Sequence, residues 1–447
     1  MSSLKFVDPH HWDAVEGHLT SGEGERFAFV HGRVLGTTSD GPIVEVIDVE
    51  LIADTDVRSD ATGWYISDAA LDRVHNAAVS GGYALIEFHN HHRGPAGFSR
   101  TDESGLEPMA SYVTDLLPGR PYGAGVYADG HVHVEYWTPT NADLERRTFR
   151  SVIVIGSQLR VVNAVPTAAS DRHERQADVI GTPGTATMKK LRVAVVGAGG
   201  TGSHVSLALV YLGFTNVLIL DDDIVETSNL NRLITATIAD TGAPKNLITR
   251  RRMREVDARI EVTALPGLRP DGADRELHDV DLIIGCVDHD GPRDRLNQIA
   301  VDTATPYLDI ATGIDTSSSP PTIGGRAVLV APNGPCLHCL RELDPVEVSR
   351  WTKDPAQQAL DRRHGYGSVG AAPSVVHLNG VTVHAAMAEL IAWISGHRPP
   401  AQYLDIDLSG FLAATGSSNG TRVAPRAPVP RAVGCIACGY RTVEAAG

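Results

Sequence analysis

An apolar run that leads into a glycine-rich loop constrains the fold of this chain more than any other feature. Residues 193–196 are apolar, residues 197–202 read Gly-Ala-Gly-Gly-Thr-Gly, and residues 203–212 have the composition of a helix that ends before Gly213. Glycine lets the backbone turn tightly and approach a phosphate, while the N-terminus of a helix offers free N–H groups. The pattern predicts a strand–loop–helix unit that binds a nucleotide.

The rest of the C-terminal half alternates between apolar, β-rich runs and helical segments. The runs lie at residues 192–197, 216–221, 280–288, 305–311 and 327–332. This rhythm is typical of an α/β fold with a mainly parallel, doubly wound sheet.

The N-terminal third has a different pattern, in which short strands surround one long helix. Residues 84–88 form an apolar run, and residues 103–117 carry apolar side chains at helical spacing. An α+β domain is therefore expected before the α/β domain, as the length of 447 residues also favours. We expect the first domain at residues 1–145, a connector at 146–190 and the second domain at 191–447.

Charge and apolar content exclude several partners. The formal net charge of −15 argues against binding to nucleic acid or to an anionic membrane. The N-terminal segment lacks the pattern of a secretory signal, and no apolar stretch has the length and continuity to cross a bilayer, so a cytoplasmic location is expected. Four of the five cysteines form two C-x-x-C pairs, which in a reducing compartment indicate metal binding.

Residues beyond the glycine loop distinguish two kinds of nucleotide site. Asp221 follows the next strand at the distance that an NAD site would require. However, residues 221–232, Lys245 and residues 286–288 together resemble the ThiF/MoeB/ubiquitin-activating family. A dehydrogenase has no need of an Arg and a Lys aimed at phosphates, whereas attack of a carboxylate on the α-phosphate of ATP requires cations and a Mg²⁺ ligand. The sequence therefore favours adenylation over NAD binding.

The resemblance implies a role for each matching residue. In the family the glycines hold the nucleotide, the first acidic residue binds the ribose, Asn, Arg and Lys contact the phosphates, and a later Asp holds Mg²⁺. The nucleotide-binding residues here would be Gly197, Gly199, Gly200, Gly202, Asp221, Asp223, Asn229, Arg232, Lys245 and Asp288, of which Arg232, Lys245 and Asp288 would be catalytic.

A segment upstream resembles the part of the family that supplies an arginine finger. Residues 172–176 read Arg-His-Glu-Arg-Gln, with His173 in place of the family's aromatic residue. By the resemblance Arg175 would reach the ATP of a second subunit, which implies a homodimer.

The cysteine pairs predict a structural zinc site. Tetrahedral Zn²⁺ accepts four thiolates, and a two-residue gap lets each pair clamp one edge of the tetrahedron. The pairs are Cys336/Cys339 and Cys435/Cys438, which match the positions of the four-cysteine site in MoeB-like proteins; redox activity is the alternative.

The remaining Cys286 lies in an apolar strand, and no cysteine occurs between residues 341 and 373, where ubiquitin-activating enzymes carry the thioester residue. Chemistry is therefore expected to end at the acyl-adenylate.

A second metal motif lies in the N-terminal domain. His89 and His91 stand at a strand end, where residues i and i+2 point the same way, and Ser99 and Asp102 begin the next helix. The spacing H-x-H-x7-S-x2-D resembles the JAMM (JAB) metallopeptidases. A simpler alternative is that Ser99 and Asp102 only cap the helix and that the histidines are solvated.

The JAMM resemblance implies an α+β, cytidine-deaminase-like domain with a catalytic Zn²⁺. His89, His91 and Asp102 would bind the metal, and Ser99 would stabilise the tetrahedral intermediate. A carboxylate must also carry the proton of the attacking water. Residues 25–32 fit the family pattern for this group, so Glu25 is the candidate, with Glu45 and Glu23 as reserves.

Three functions fit these motifs. The first is a bacterial ubiquitin-like conjugation system in which one half activates the terminal glycine of a β-grasp protein and the other cleaves peptide or isopeptide bonds after it. The second is activation and processing of a sulfur carrier for cofactor, cysteine or siderophore synthesis. The third is a scaffold with two inactive sites. A ubiquitin-conjugating-type enzyme or a sulfur donor would be a further partner in the first two cases.

Overall fold

The computed structural model of the chain describes residues 2–60, 63–92, 94–140, 143–165, 171–269, 274–317, 319–353, 373–411 and 422–439. It divides into two units, Met1–Ala168 and Ala169–Gly447. The region expected as a connector holds the end of one strand and two further strands that pair within the first unit, followed by a helix in the second.

The first unit is an α+β structure. Its elements in chain order are β1 Ser3–Phe6, α1 Pro9–Thr20, β2 Phe27–Thr38, β3 Gly41–Leu51, β4 Val57–Asp60, β5 Gly63–Ile66, α2 Asp68–Gly81, β6 Ala84–Asn90, α3 Arg100–Leu116, β7 Tyr122–Ala128, β8 His131–Pro139, β9 Leu144–Thr148, β10 Ser151–Ile155 and β11 Leu159–Val161.

Nine of these strands form one mixed sheet in the order β11-β10-β1-β3-β2-β6-β7-β8-β9, while β4 and β5 form a separate hairpin. Alternate residues of a strand point to opposite faces. Ile86 and Phe88 of β6 therefore pack in the core that contains Trp12 of α1, whereas Leu85 packs with α2 and α3. His89 has the same parity as Leu85, so its side chain lies on the face that α3 covers.

The second unit is an α/β structure. Its elements are α4 Glu174–Lys190, β12 Arg192–Val196, α5 Gly200–Leu212, β13 Asn216–Leu220, α6 Lys245–Val256, β14 Glu261–Leu265, β15 Leu282–Gly285, α7 Asp290–Asp302, β16 Tyr307–Asp315, β17 Thr322–Val330, α8 Leu337–Leu340, α9 Pro345–Trp351, α10 Val376–Ser395, β18 Tyr403–Asp407 and β19 Arg422–Pro425.

The sheet of this unit has the order β14-β13-β12-β15-β16-β17-β18-β19. The strands from β14 to β16 are parallel, and those from β16 to β19 are antiparallel. The run at 327–332 thus belongs to an antiparallel strand, because the short link from β16 to β17 suits a hairpin and not a crossover. The strand order reverses between β12 and β15, where a crevice forms at the carboxyl ends of the strands. No helix among the described residues is long and apolar enough to cross a membrane.

Candidate functional site

The loop between β12 and α5 is shaped by glycines that the backbone requires. Gly197 has a φ of +94°, and a Cβ there would lie 2.6 Å from the carbonyl oxygen of Cys286. A Cβ on Gly202 would lie 1.8 Å from the carbonyl oxygen of Gly197. Gly199 is different, because a Cβ there would meet no atom of the described residues within 4 Å. Open space at Gly199 is what the close approach of a ligand requires.

A cavity of about 530 Å³ opens at this loop, at the carboxyl ends of β12, β13 and β15. Its size is within the range of small-molecule sites. Residues from separate segments line it, and they include nine of the ten predicted nucleotide-binding residues: Gly197, Gly199, Gly200, Asp221, Asp223, Asn229, Arg232, Lys245 and Asp288. Gly202, the tenth, lies in the first turn of α5 against the loop.

The carboxylates after β13 and the first lysine of α6 form one charged group. Asp221 accepts a hydrogen bond of 2.6 Å from the Ala198 N–H and one of 2.9 Å from the Asp223 N–H. Burial raises the pKa of Asp221, and these two donors oppose the shift. Lys245 Nζ donates to Asp223 Oδ2 at 2.7 Å, and the lysine side chain is only 11% exposed. Asp221 is thus held against the glycine loop, and Lys245 is held by Asp223.

Arg232 and Asp288 approach the cavity from two other segments. Arg232 Nη1 donates to the carbonyl oxygen of Ser228 at 3.0 Å, which fixes the guanidinium group near the turn that carries Asn229. Asp288 follows β15, and its carboxylate is 92% exposed. A carboxylate with so much free surface at the mouth of the cavity has room for a hydrated cation.

The segment that contains Arg175 is bound at the far end of α5. Arg172 Nη2 donates to the carbonyl oxygen of Val210 at 3.3 Å, and Gln176 Nε2 donates to that of Leu212 at 2.8 Å. Arg175 itself is exposed. Since α5 rises 1.5 Å per residue, this end lies roughly 20 Å from the glycine loop. Arg175 is not among the described residues that line the cavity of its own chain.

Four sulfur atoms converge beside α8, namely those of Cys336, Cys339, Cys435 and Cys438. The Sγ–Sγ distance is 3.8 Å within the first pair, and it is 3.6 and 3.5 Å between the pairs. A tetrahedron with Zn–S bonds of 2.3 Å has edges of about 3.8 Å. Arg431 Nε and the Ala432 N–H donate to two of the sulfurs at 3.1 and 3.4 Å, as suits thiolates. The cluster therefore fits a structural zinc ion.

A second cluster forms in the first unit, where His89, His91 and Asp102 bring their ligand atoms within 4.8 Å of one another. Asp102 Oδ2 lies 3.6 Å from His89 Nε2 and 3.3 Å from His91 Nε2. Burial favours the neutral acid, but the hydrogen bond and charge of His89 and the bonds from Ser99 hold the pKa of Asp102 well below its usual range. Ligands bound to zinc at 2.0–2.1 Å would stand about 3.3 Å apart in a tetrahedron, so these three side chains fit such an ion.

The same aspartate also caps α3. The Ser99 N–H donates to Asp102 Oδ2 at 2.6 Å, and Ser99 Oγ accepts from the Asp102 N–H at 3.2 Å. This is a complete capping box. The Asp102 carboxylate therefore both caps α3 and belongs to the ligand cluster.

Glu25 stands next to this cluster, immediately before β2. Phe27, the first residue of β2, pairs with His89, and the Arg26 N–H donates to Asn90 Oδ1 at 2.6 Å. Burial raises the pKa of Glu25, while the charge of His89 opposes the shift. The carboxylate is thus half-buried and within electrostatic reach of the cluster.

The reserve carboxylates lie elsewhere. Glu45 is buried in β3, opposite Lys5 and Arg33, and β2 separates β3 from β6. Glu23 is exposed in the turn after α1.

Comparison with known proteins identifies the second unit. A model described as "ThiF family" matches residues 173–421, which is more than half of the 447 residues. The chain belongs to the ThiF family. The sulfur carrier protein adenylyltransferase of Thermus thermophilus is 31% identical over 213 residues, which cover 46% of this chain and 73% of that protein.

A second relative and a solved structure extend the comparison. The sulfur carrier protein ThiS adenylyltransferase of Escherichia coli is 28% identical, and the match covers 38% of this chain and 66% of that protein. Among solved structures, the microcin C7 biosynthetic enzyme MccB in complex with N-formylated MccA aligns over 92% of this chain and all of that chain, with a TM-score of 0.48 and 15% identity. The ThiF match begins at residue 173, so it does not assign the first unit to a family.

The ThiF unit also contains a buried ionic network that sequence reasoning missed. Asp309 is fully buried, and its carboxylate lies 3.3 Å from Arg293 Nε and 3.2 Å from Arg326 Nη2. The Tyr307 hydroxyl donates to the same carboxylate at 2.8 Å. Both arginines line the nucleotide cavity. The residues of this network come from α7, β16 and β17. Because these elements are separate in sequence, no local spacing of residues predicts the network.

Asn379 of α10 is a second residue that the sequence did not indicate. It is buried, it lines the cavity, and it accepts a hydrogen bond from Thr312 Oγ1 at 3.2 Å. A Cβ on Gly200 would lie 2.2 Å from Asn379 Nδ2. The glycine loop is therefore packed against a helix that lies about 180 residues later in the chain.

Cys286 is a buried thiol at the wall of the cavity. It is buried at the end of β15, and burial raises its pKa to about 12. Most of residues 341–373, the segment in which ubiquitin-activating enzymes carry the thioester cysteine, lies outside the described residues, and the sequence has no cysteine there.

Proposed function

We propose that the ThiF unit uses ATP to adenylate the C-terminal carboxylate of a small ubiquitin-like sulfur carrier protein. The observation that supports this most is the cavity itself. It combines a glycine loop, the cations Arg232 and Lys245 and the exposed carboxylate of Asp288, which come from segments far apart in sequence. A dehydrogenase would not need this combination.

The roles of the side chains follow from their charges. ATP and Mg²⁺ would supply the electrophilic phosphorus and the charge that balances pyrophosphate. Lys245 and Arg232 would contact the phosphates, since both are cations at the cavity wall, and Asp288 would hold the metal ion. Lys245 is already held in position by Asp223, so it would exchange one anionic partner for another when the nucleotide binds.

The sulfur-carrier pathway is favoured over conjugation by two observations. The relatives named above are adenylyltransferases of sulfur carrier proteins. In addition, Cys286 is a buried thiol with a raised pKa, and a thioester requires an accessible thiolate. We therefore propose that the product is the acyl-adenylate and that a separate sulfur donor receives it.

Two measurements test the adenylation proposal. Calorimetric titration should show binding of Mg²⁺–ATP and none of NAD. A ubiquitin-like protein that ends in Gly-Gly should stimulate ATP–pyrophosphate exchange, and Lys245→Ala should lower that exchange at least about 100-fold, as the loss of a transition-state cation does. Arg252→Ala is the matched control, because Arg252 lies on the same helix but pairs with Glu255 outside the cavity. Preferential binding of NAD, or equal exchange by the Lys245 and Arg252 variants, would contradict the proposal.

For the first unit we propose a zinc metallopeptidase of the JAMM type that cleaves after the C-terminus of the same partner. The supporting observation is that His89, His91 and Asp102 form a cluster of zinc-like dimensions with Glu25 beside it. A zinc ion there would supply Lewis-acid activation of water and carbonyl. Glu25 would accept the proton of the water and pass it to the leaving amine, and the Ser99 hydroxyl would donate to the developing oxyanion.

Substitution of Asp102 separates this proposal from simple helix capping. Asp102→Asn keeps an oxygen that can accept the Ser99 N–H, so α3 should stay capped and stability should change by less than about 1 kcal/mol. The amide is a much poorer zinc ligand, so zinc content measured by mass spectrometry should fall by one ion per chain. Glu25→Gln should retain that ion and lose cleavage of a carrier protein extended by a peptide. Full zinc retention in Asp102→Asn would favour the capping alternative.

A further inference from the structure

Asn379 reaches the nucleotide cavity from the first turns of α10. Its side chain is only 1% exposed, and it lines the cavity together with Thr312 and Ser374. Thr312 Oγ1 donates to Asn379 Oδ1 at 3.2 Å, and Asn379 Nδ2 donates to Ser374 Oγ at 3.2 Å. The two hydroxyl groups therefore hold the amide group in a fixed position at the cavity wall.

One hydrogen of this amide is available to a ligand. The Nδ2 atom of an asparagine carries two hydrogens, and Ser374 Oγ is the one acceptor that Nδ2 has among the residues that the structure describes. A buried N–H group normally has a partner, because an unsatisfied donor has lost its hydrogen bonds to water. The second hydrogen can thus be given to an acceptor on a molecule that occupies the cavity.

This donor lies at the N-terminus of α5. A Cβ on Gly200, the first residue of the helix, would lie 2.2 Å from Asn379 Nδ2 and 3.3 Å from Arg232 Cδ. The amide and the arginine side chain therefore flank the start of the helix. The N–H groups of the first turn have no partner within a helix, and they favour an anion. Donors from α5 and α10 are thus adjacent at one position in the cavity.

The proposed ribose site indicates which phosphate would lie at this position. Asp221, the proposed ribose ligand, accepts the Ala198 N–H, and Ala198 is two residues before Gly200 in the loop. The α-phosphate is the one that is bonded directly to the ribose, so it would lie nearest to this part of the loop. The α-phosphate is also the group that adenylation attacks.

We propose that Asn379 is a catalytic residue of adenylation, whose Nδ2 donates its second hydrogen to a non-bridging oxygen of the α-phosphate. The proposal rests on the adenylation function above and adds a residue to that site. An oxygen of the partner's carboxylate forms a bond to the α-phosphorus, and the bond from that phosphorus to the β-phosphate oxygen breaks with its electron pair, so that pyrophosphate leaves.

A fixed donor at this oxygen would act mainly in the transition state. The α-phosphorus becomes five-coordinate there, and its non-bridging oxygens change position and gain charge. A donor that is already in place stabilises that charge more than it stabilises bound ATP. Thr312 would be a positioning residue, because its hydroxyl group holds Asn379 Oδ1 and so keeps Nδ2 beside Gly200.

ATP–pyrophosphate exchange by Asn379→Ala measures this contribution. The kcat of exchange should fall on the order of 100-fold, while the Kd of Mg²⁺–ATP from calorimetry should change less than about threefold. Asn297→Ala is the matched control and should keep the wild-type kcat, because Asn297 is also buried on a helix but accepts the Leu337 N–H outside the cavity. If Asn379 only packs against the glycine loop, the Kd of ATP should rise in parallel with the loss of kcat, and that result would overturn the proposal.

Sulfur substitution at the α-phosphate tests the hydrogen bond itself. In each diastereomer of ATPαS, sulfur replaces one of the two non-bridging oxygens and is a weaker acceptor than the oxygen. The wild type should use one diastereomer more slowly than the other, and this ratio of rates should shrink at least about fivefold in Asn379→Ala. A ratio that is the same in both proteins would rule out a hydrogen bond to either oxygen.

Substitutions of Thr312 keep Asn379 in the chain and so do not depend on the folding of Asn379→Ala. Thr312→Val retains the shape of the side chain but removes the donor to Asn379 Oδ1, so kcat should fall about three- to tenfold. Thr312→Ser retains the hydroxyl group and should keep most of the wild-type rate. Equal rates for the Val and Ser variants would overturn the arrangement.

The same exchange assay distinguishes failure of this proposal from failure of adenylation. If the wild type shows no exchange with a partner that ends in Gly-Gly, the adenylation proposal fails and the role of Asn379 fails with it. If the wild type shows exchange and the kcat of Asn379→Ala is within about twofold of it, adenylation stands and only the role of Asn379 fails.

Discussion

Removal of one thiol from the four-cysteine cluster should destabilise the second unit by a calculable amount. Cys339 and Cys438 are 99 positions apart in sequence, and their Sγ atoms are 3.5 Å apart. A cross-link that closes a loop of about 100 residues lowers the entropy of the unfolded chain and so stabilises the folded state by about 4.7 kcal/mol. Cys438→Ser should remove the link, because hydroxyl is a poor zinc ligand. In a unit of this size, a loss of that magnitude lowers Tm by roughly 10–20 °C.

The assay combines differential scanning calorimetry with zinc analysis of the same samples. The wild type should contain two zinc ions per chain, and Cys438→Ser should contain one. Cys286→Ala is the matched control, because it removes a buried thiol outside the cluster and should retain both ions. The chelator-treated wild type should unfold near the temperature of Cys438→Ser. If Cys438→Ser retains two zinc ions and unfolds within a few degrees of the wild type, the cluster is not a metal-linked loop and the reasoning is refuted.

Three further predictions concern the two sites and the assembly. Asp288→Ala should abolish ATP–pyrophosphate exchange and leave peptide cleavage intact, whereas Glu25→Gln should do the reverse; loss of both activities in either variant would contradict separate sites. Gly200→Ala should destabilise the protein by about 1–3 kcal/mol in denaturant titrations, because its Cβ would lie 2.2 Å from a buried amide, while Gly199→Ala should be neutral in the same titration. Arg175→Ala and Asp288→Ala, each inactive alone, should recover about a quarter of wild-type exchange when mixed as a homodimer in which the arginine acts on the partner's site; no recovery in the mixture would contradict that arrangement.

The sequence predicted those parts of the sites whose geometry depends on local spacing. A glycine loop after a strand, two histidines at i and i+2, and paired cysteines each fix a distance through the backbone alone. The structure accordingly places Gly197 at the cavity, His89 beside His91, and Cys336 beside Cys339.

Features that depend on the packing of segments far apart in the chain could not be predicted from local sequence spacing. Asp309 looks like any polar residue in a strand, and only the fold brings Arg293 and Arg326 to it. The same holds for Asn379, whose contact with Gly200 joins two helices. The antiparallel half of the second sheet was missed because an apolar run does not reveal the direction of the strand that it forms.

The double use of Asp102 has a consequence for how this protein can change during evolution. Its Oδ2 atom accepts the Ser99 N–H at 2.6 Å and lies 3.6 and 3.3 Å from the two imidazole Nε2 atoms. The hydrogen bond at the end of the helix therefore also fixes the orientation of the carboxylate toward the histidines. Most substitutions would therefore remove the helix cap and the carboxylate oxygen in a single step, whereas asparagine would retain the cap and lose the carboxylate. If zinc binds here as proposed, a lineage that abandoned it could still retain an amide, and asparagine at this position would mark that loss in an otherwise unchanged domain.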